Sequence, residues 1–237
     1  MLDRPPRDGS GSRESIAAFA RVLSQYVDVI VVRANDHRSV EELAEFSTCP
    51  VINGLTPDSH PCQALCDVYT LRERVGNLAG HAVAYVGDGN NVARSLAMCC
   101  AKLKMPFRLA APEGYSFDEA FLAELEDQAP GAELLLTEDP REAVAGAIAV
   151  YTDVWVSMGQ EGEADRRRAD FRGYQVTTDL MAHAGDDAVF MHCLPAHRGE
   201  EVAADVIDGP QSVVVQEAAN RMHVQKGILT WLVGPQK

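Results

Sequence analysis

Residues 190–201, FMHCLPAHRGEE, gather two histidines, a cysteine, an arginine and two glutamates into one short run. Three chemistries use such a set: a zinc centre, a nucleophilic cysteine with a histidine base, or a turn that grips a polar substrate. Zinc needs three or four ligands in tetrahedral array. His192 and Cys193 are neighbours, so on a strand their side chains leave in opposite directions. The chain also has no CxxC or HxxxH pair to complete a ligand set. The expectation is no metal. A Cys193–His197 dyad stays open, although no oxyanion hole can be located beside it.

Three further runs have functional residue types at meaningful spacing. HPCQ (60–63) places a proline at the first turn of a helix, with His60 and Gln63 on one face and able to reach a carbonyl oxygen. GDGNN (87–91) reads as a strand-to-helix turn, where glycines admit a ligand and the helix start favours an anion. It lacks the GxGxxG spacing of a dinucleotide fingerprint, and only Glu113, at the end of the next strand, sustains a nicotinamide-dependent oxidoreductase reading. DVWVSMGQE (153–161) follows a strand end, the usual ligand position in open α/β sheets. Its Asp153 and Ser157 suit the ammonium and carboxylate of an amino acid.

These residues must be positioned by a scaffold. Apolar runs at 27–32, 50–53, 81–87, 107–111, 133–137, 147–151, 188–191 and 212–215 predict strands, and helical periodicity lies between them at 12–26, 117–128 and elsewhere. Ser39-Val-Glu-Glu42 has the form of a capping box and predicts a helix start at Ser39. The alternation predicts an α/β protein with two parallel-sheet domains. Residues 81–215 suffice for a doubly wound, Rossmann-like unit, whereas 1–75 supply only two convincing strands and read as a truncated sheet. The expected boundaries are 1–78, 79–215 and 216–237, with the last helix packing back on the first domain.

The formal charge of -14 over 237 residues excludes the basic footprint of a nucleic-acid binder. No apolar run approaches the ~20 residues that span a bilayer, and the start MLDRPPRDGSGSRE has no signal-like core. Six cysteines without paired spacing fit reduced core thiols. A cytoplasmic setting with no membrane partner is expected.

Taken in order, HPCQ, GDGNN, Asp153-x-x-x-Ser157-Met158-Gly159, HCLP and the Asn220-Arg221 of EAANR resemble the succession of the ornithine carbamoyltransferases. The resemblance runs from about Glu14 to Trp231. It implies transfer of the carbamoyl group of carbamoyl phosphate to the side-chain amine of ornithine, giving citrulline and phosphate, without metal or cofactor, in a homotrimer. It makes Arg33, His60, Gln63 and Arg221 ligands of carbamoyl phosphate, and Asn91, Asp153, Ser157 and Met158 ligands of ornithine. Cys193 and Leu194 match the place where amine and carbamoyl group meet. Arg33, His60, Asp153 and Cys193 carry the implied catalysis. Two departures stand out: the family's Ser-Thr-Arg-Thr phosphate motif does not occur in this chain, and Ala219 stands where a glutamate usually precedes Asn-Arg. The missing motif leaves two expectations: an N-terminally shortened sequence of an ordinary enzyme, favoured by the intact downstream motifs, or a non-catalytic ornithine-binding or oligomer-forming relative.

Overall fold

The computed structural model describes residues 14–157 and 159–234, with strands and helices alternating along the chain. Packing separates the described residues into two compact units: those up to Pro57 with those from Gly227 on, and those within Asp58–Lys226.

The smaller unit contains α1 (Ile16–Leu23), β1 (Ile30–Arg33), α2 (His37–Phe46) and β2 (Val51–Leu55). Ser15 caps α1 by accepting the Ala18 N–H at 3.2 Å. β1 and β2 pair in parallel, the two strands of this unit's described residues, over a small core of Ala20, Ile30 and Leu43. Arg33 ends β1 and is exposed. The helix start expected at Ser39 lies earlier: α2 begins at His37 behind Asp36. The Ser39 hydroxyl instead donates to the Asp36 carbonyl at 2.6 Å, a local backbone bond that takes it out of the capping role.

The larger unit strings β3 (Val83–Val86), β4 (Phe107–Ala110), β5 (Leu134–Thr137), β6 (Ala149–Tyr151) and β7 (Val189–Met191) into one parallel sheet of order β5-β4-β3-β6-β7. Its helices are α3 (Pro61–Val75), α4 (Asn91–Lys102), α5 (Glu119–Gln128), α6 (Pro140–Val144), α7 (Ala164–Asp170), α8 (Thr178–Met181) and α9 (Ala204–Ile207). α10 (Val214–Val233) begins here, and its residues from Gly227 on belong to the smaller unit.

Side chains alternate across a strand, so β3 feeds two cores. Val83 and Tyr85 join Leu71 of α3, Leu96 of α4 and Phe121 of α5 on one face. Ala84 and Val86 join Val144 of α6, Leu180 of α8 and Ile207 of α9 on the other. Both faces being covered, β3, β6 and β7 are buried throughout, which is why they read as unbroken apolar runs. Each large side chain so buried contributes about 1.5–3 kcal/mol.

The strand expected at 212–215 does not form. Ser212 meets the sheet through a single bridge to Phe190, and α10 starts at Val214. Val213 and Val214 are buried, and a short apolar run at a buried helix start has the same signature as a strand.

Candidate active site

In the sheet of the larger unit the chain winds one way from β3 through β4 to β5 and the other way through β6 to β7. The order reverses between β3 and β6, and ligands in open α/β sheets bind beyond the carboxyl ends of the strands at such a point. GDGNN leaves β3 there, Asp153 follows β6, and the HCLP turn follows β7.

Three of these segments are tied together. Asn90 caps α4, its Oδ1 accepting the N–H groups of Val92 and Ala93 at 3.0 and 3.1 Å. Its amide nitrogen donates to Asp153 Oδ2 at 2.9 Å. Asp153 Oδ1 accepts the Val154 N–H at 2.8 Å and the Cys193 thiol at 3.2 Å. Burial pushes the Cys193 thiol well above its ordinary value, and the carboxylates of Asp153, Asp67 and Glu217 add to the rise. The sulfur therefore keeps its proton and acts as a donor, which removes the nucleophile–base dyad. His197 is engaged elsewhere: its N–H donates to Glu201 Oε1 at 2.5 Å, and its exposed ring lies 3.7 Å from Glu201 Oε2.

The zinc argument needs a correction of detail. His192 lies just past the end of β7, so strict alternation no longer applies, and one atom each of Asp153, His192 and Cys193 falls within 4.8 Å of the others. The imidazole is nevertheless committed. Nδ1 accepts the Leu194 N–H at 2.9 Å, which places the proton on Nε2, 3.3 Å from Glu201 Oε1. Burial alone would raise the Glu201 carboxyl, but hydrogen bonds from His192, the His197 N–H and its own N–H hold it below its usual range. Leu194 sits at φ 58 and precedes a cis Pro195. A left-handed leucine costs about 1–3 kcal/mol and points to a turn held by its surroundings.

HPCQ forms the expected helix start. Pro61 opens α3, and the N–H of buried His60 donates to Ser95 Oγ at 2.7 Å. That hydroxyl donates in turn to the carbonyl of Asn91 at 2.7 Å, linking HPCQ to the half-buried first residue of α4. Gln63 is fully engaged within the protein. Its amide nitrogen donates to Asp67 Oδ1 at 2.8 Å and Glu217 Oε1 at 2.9 Å, and its oxygen accepts from Arg221 at 2.7 Å. Half-buried Ser157 donates its N–H to Gln160 Oε1 at 3.0 Å, and Met158 lies outside the described residues. Thus His60, Gln63, Asn91, Asp153, Cys193, Leu194 and Arg221 fall in the larger unit, and Arg33 in the smaller.

Several residues beneath the site are not apparent from motifs. Buried Arg167 of α7 pairs with Asp88 of GDGNN, donates to the Trp155 carbonyl at 2.5 Å, and stacks 4.9 Å over the Tyr115 ring. It clamps the turn after β3 to the loop after β6. Asp67 and Glu217 lie under Gln63, each four residues along a helix from a motif residue, Gln63 and Arg221 respectively. That spacing was the available signal, since such residues share a helical face.

Comparison with known proteins agrees with this layout. Residues 79–232 match the family model "Aspartate/ornithine carbamoyltransferase, Asp/Orn binding domain", and residues 6–73 match the companion carbamoyl-P binding domain. An ornithine carbamoyltransferase of Symbiobacterium thermophilum is 56% identical over 222 residues, which is 93% of this chain and 72% of the relative. The anabolic ornithine carbamoyltransferase of Pyrococcus furiosus is 54% identical over 223 residues, 93% of this chain and 71% of that one. A solved ornithine carbamoyltransferase structure from Pyrococcus furiosus superposes with a TM-score of 0.90 at 53% identity, covering 95% of this chain and 73% of the other. With matched models spanning nearly its whole length and a site assembled at the sheet's reversal point, the chain belongs to the aspartate/ornithine carbamoyltransferase family.

Proposed function

We infer that this chain is an ornithine carbamoyltransferase, moving the carbamoyl group of carbamoyl phosphate onto the side-chain amine of ornithine to give citrulline and phosphate. The observation that carries the reading is the Asn90–Asp153–Cys193 cluster, which joins the turn after β3, the end of β6 and the turn after β7 in a chain of this family. Ornithine in solution has an ammonium side chain, which has no lone pair and cannot attack. Asp153, with two oxygens held by neighbouring donors, is the group to draw that amine in and help take its proton. Cys193, kept as a thiol, offers a neutral donor beside it.

As the amine attacks the carbamoyl carbon, negative charge builds on the carbonyl oxygen and then leaves with phosphate. Donors aimed at that charge lower the barrier. We assign this part to His60, Gln63 and Arg221, and to Arg33 of the smaller unit, with Cys193 and Leu194 where amine and carbamoyl group meet. Gln63 needs a rearrangement for this role, since its amide hydrogens are directed at two carboxyls. Asn91, Ser157 and Met158 take the amino-acid end of ornithine. The functional division we propose is 1–78 for carbamoyl phosphate and 79–215 for ornithine, with 216–237 returning to the first. A homotrimer in the cytoplasm, serving arginine metabolism, completes the proposal; among the described residues no helix is long and apolar enough to cross a membrane. The test is citrulline formation by the purified chain from ornithine and carbamoyl phosphate, with aspartate in place of ornithine as the specificity control. Carbamoylation of aspartate in preference to ornithine overturns the substrate assignment.

A further inference from the structure

Asp67 on α3 and Glu217 on α10 are both buried, at 0% and 1% exposure, and one nitrogen of Gln63 donates to both at 2.8 and 2.9 Å. That shared donor brings one oxygen of each carboxyl to the same nitrogen. Among the described residues neither has a Lys, Arg or His ion-pair partner within 4.0 Å. The cation on this side, Arg221, reaches the Gln63 carbonyl instead. Two adjacent buried charges of one sign without a paired cation are costly, and such pairs keep a proton. One atom points to where it sits: Asp67 Oδ2 is buried and no N–H, O–H or S–H donor of the protein reaches it. A proton between the carboxyls supplies that missing bond.

Glu217 is also a hub. Its Oε1 accepts the Tyr151 hydroxyl at 3.3 Å and its Oε2 accepts the His192 N–H at 3.2 Å, while its carbonyl accepts the Cys66 thiol at 3.1 Å. The pair thus joins the HPCQ helix, the end of β6 and the root of the HCLP turn.

We propose that Asp67 and Glu217 hold one proton between them and act as positioning residues, fixing the His192–Cys193 turn for carbamoyl transfer. This deepens the function proposed above and rests on it. Other titratable groups facing the pair are Cys66 of α3, Cys99 and Cys100 of α4, Tyr151 of β6, Cys193 after β7 and Arg221 of α10. Burial raises the thiols and the phenol, which keeps them neutral, and among the described residues named here Arg221 is the one cation. Burial likewise raises Glu217 well above the carboxyl range and Asp67 to about 7, in keeping with one proton retained at neutral pH.

Infrared difference spectra of the whole chain, recorded against Asp67→Asn, test the proton directly. The parent at neutral pH is expected to show the C=O stretch of a buried protonated carboxyl that the variant lacks. Positioning is tested by comparing Asp67→Asn with Asp67→Ala. The asparagine can keep its oxygen on Gln63 and offer a permanent N–H to Glu217, so its kcat should exceed that of the alanine variant at least tenfold. Hydrogen-exchange protection of the His192 amide, which needs no turnover, should follow the same order. No protonated-carboxyl band in the parent overturns the shared proton. Equal losses of kcat and of His192 protection in the two variants overturn the positioning role. A parent chain that makes no citrulline refutes the proposed function instead, and the spectra and exchange data still decide the state of the pair.

Discussion

At the scale of single residues, the site is a set of donors and acceptors already matched to one another. Asp153→Asn places an amide hydrogen against either the Asn90 amide or the Cys193 thiol, both of which donate to Asp153. kcat/KM for ornithine should fall by about 10²–10⁴, the range of a lost general acid–base group. The Asp67–Glu217 pair makes a second, thermodynamic prediction. Asp67 rises from 3.8 to about 7 through burial, so its contribution to stability is fully present below the unfolded value, near pH 4. It is lost as pH climbs toward 7, because the unfolded chain ionises first. Asp67→Asn does not titrate, so its stability relative to the parent should improve steadily from pH 4 to 7 in urea denaturation. A constant difference across that window contradicts the raised carboxyl. Motif spacing singled out Asp153 and Cys193, whereas for Asp67 and Glu217 it offered only a helical face shared with Gln63 and Arg221. A buried acid's partners come from distant turns of chain, and one sequence does not show which turns meet.

At the scale of elements, the strand–turn–helix unit β3–GDGNN–α4 sets the geometry. A Cβ on Gly89 would lie 2.9 Å from the Ser116 carbonyl carbon and 3.0 Å from the Tyr115 oxygen, and backbone on both sides leaves little room to yield. Gly89→Ala should therefore destabilise the protein by about 1–3 kcal/mol, the usual cost of overpacking. Arg167→Met leaves half-buried Asp88 without its cation, which typically costs about 1.5–3 kcal/mol. Thermal unfolding measures both, and an unchanged midpoint in either variant contradicts the corresponding contact. The elements were legible where patterns were long or punctuated. Pro61 and Gly76 mark the ends of α3, and the apolar runs of β3 and β4 fall within a residue or two of their expected places. The 212–215 run misled because valines entering a buried helix look the same as valines in a covered strand. Ser39 misled because its hydroxyl found a nearer backbone partner.

At the scale of the whole molecule, the doubly wound sheet was legible because its two covered faces force continuous apolar strands, separated by helical stretches, in a regular alternation. Strand order was not, since nothing local says that β3 lies at the centre; that follows from which strands find partners. The charge is -14, and the charged side chains of the described residues are mostly exposed or half-buried, where like charges repel, so raising salt from low to moderate concentration should raise the unfolding temperature. The most direct measurement of the central claim is citrulline formation by the parent chain beside Asp153→Asn. Carbamoyl transfer at this site predicts turnover by the parent and a rate at least ~100-fold lower in the variant, at matched folding. Equal rates in the two proteins, or no citrulline from the parent above a protein-free blank, would contradict it.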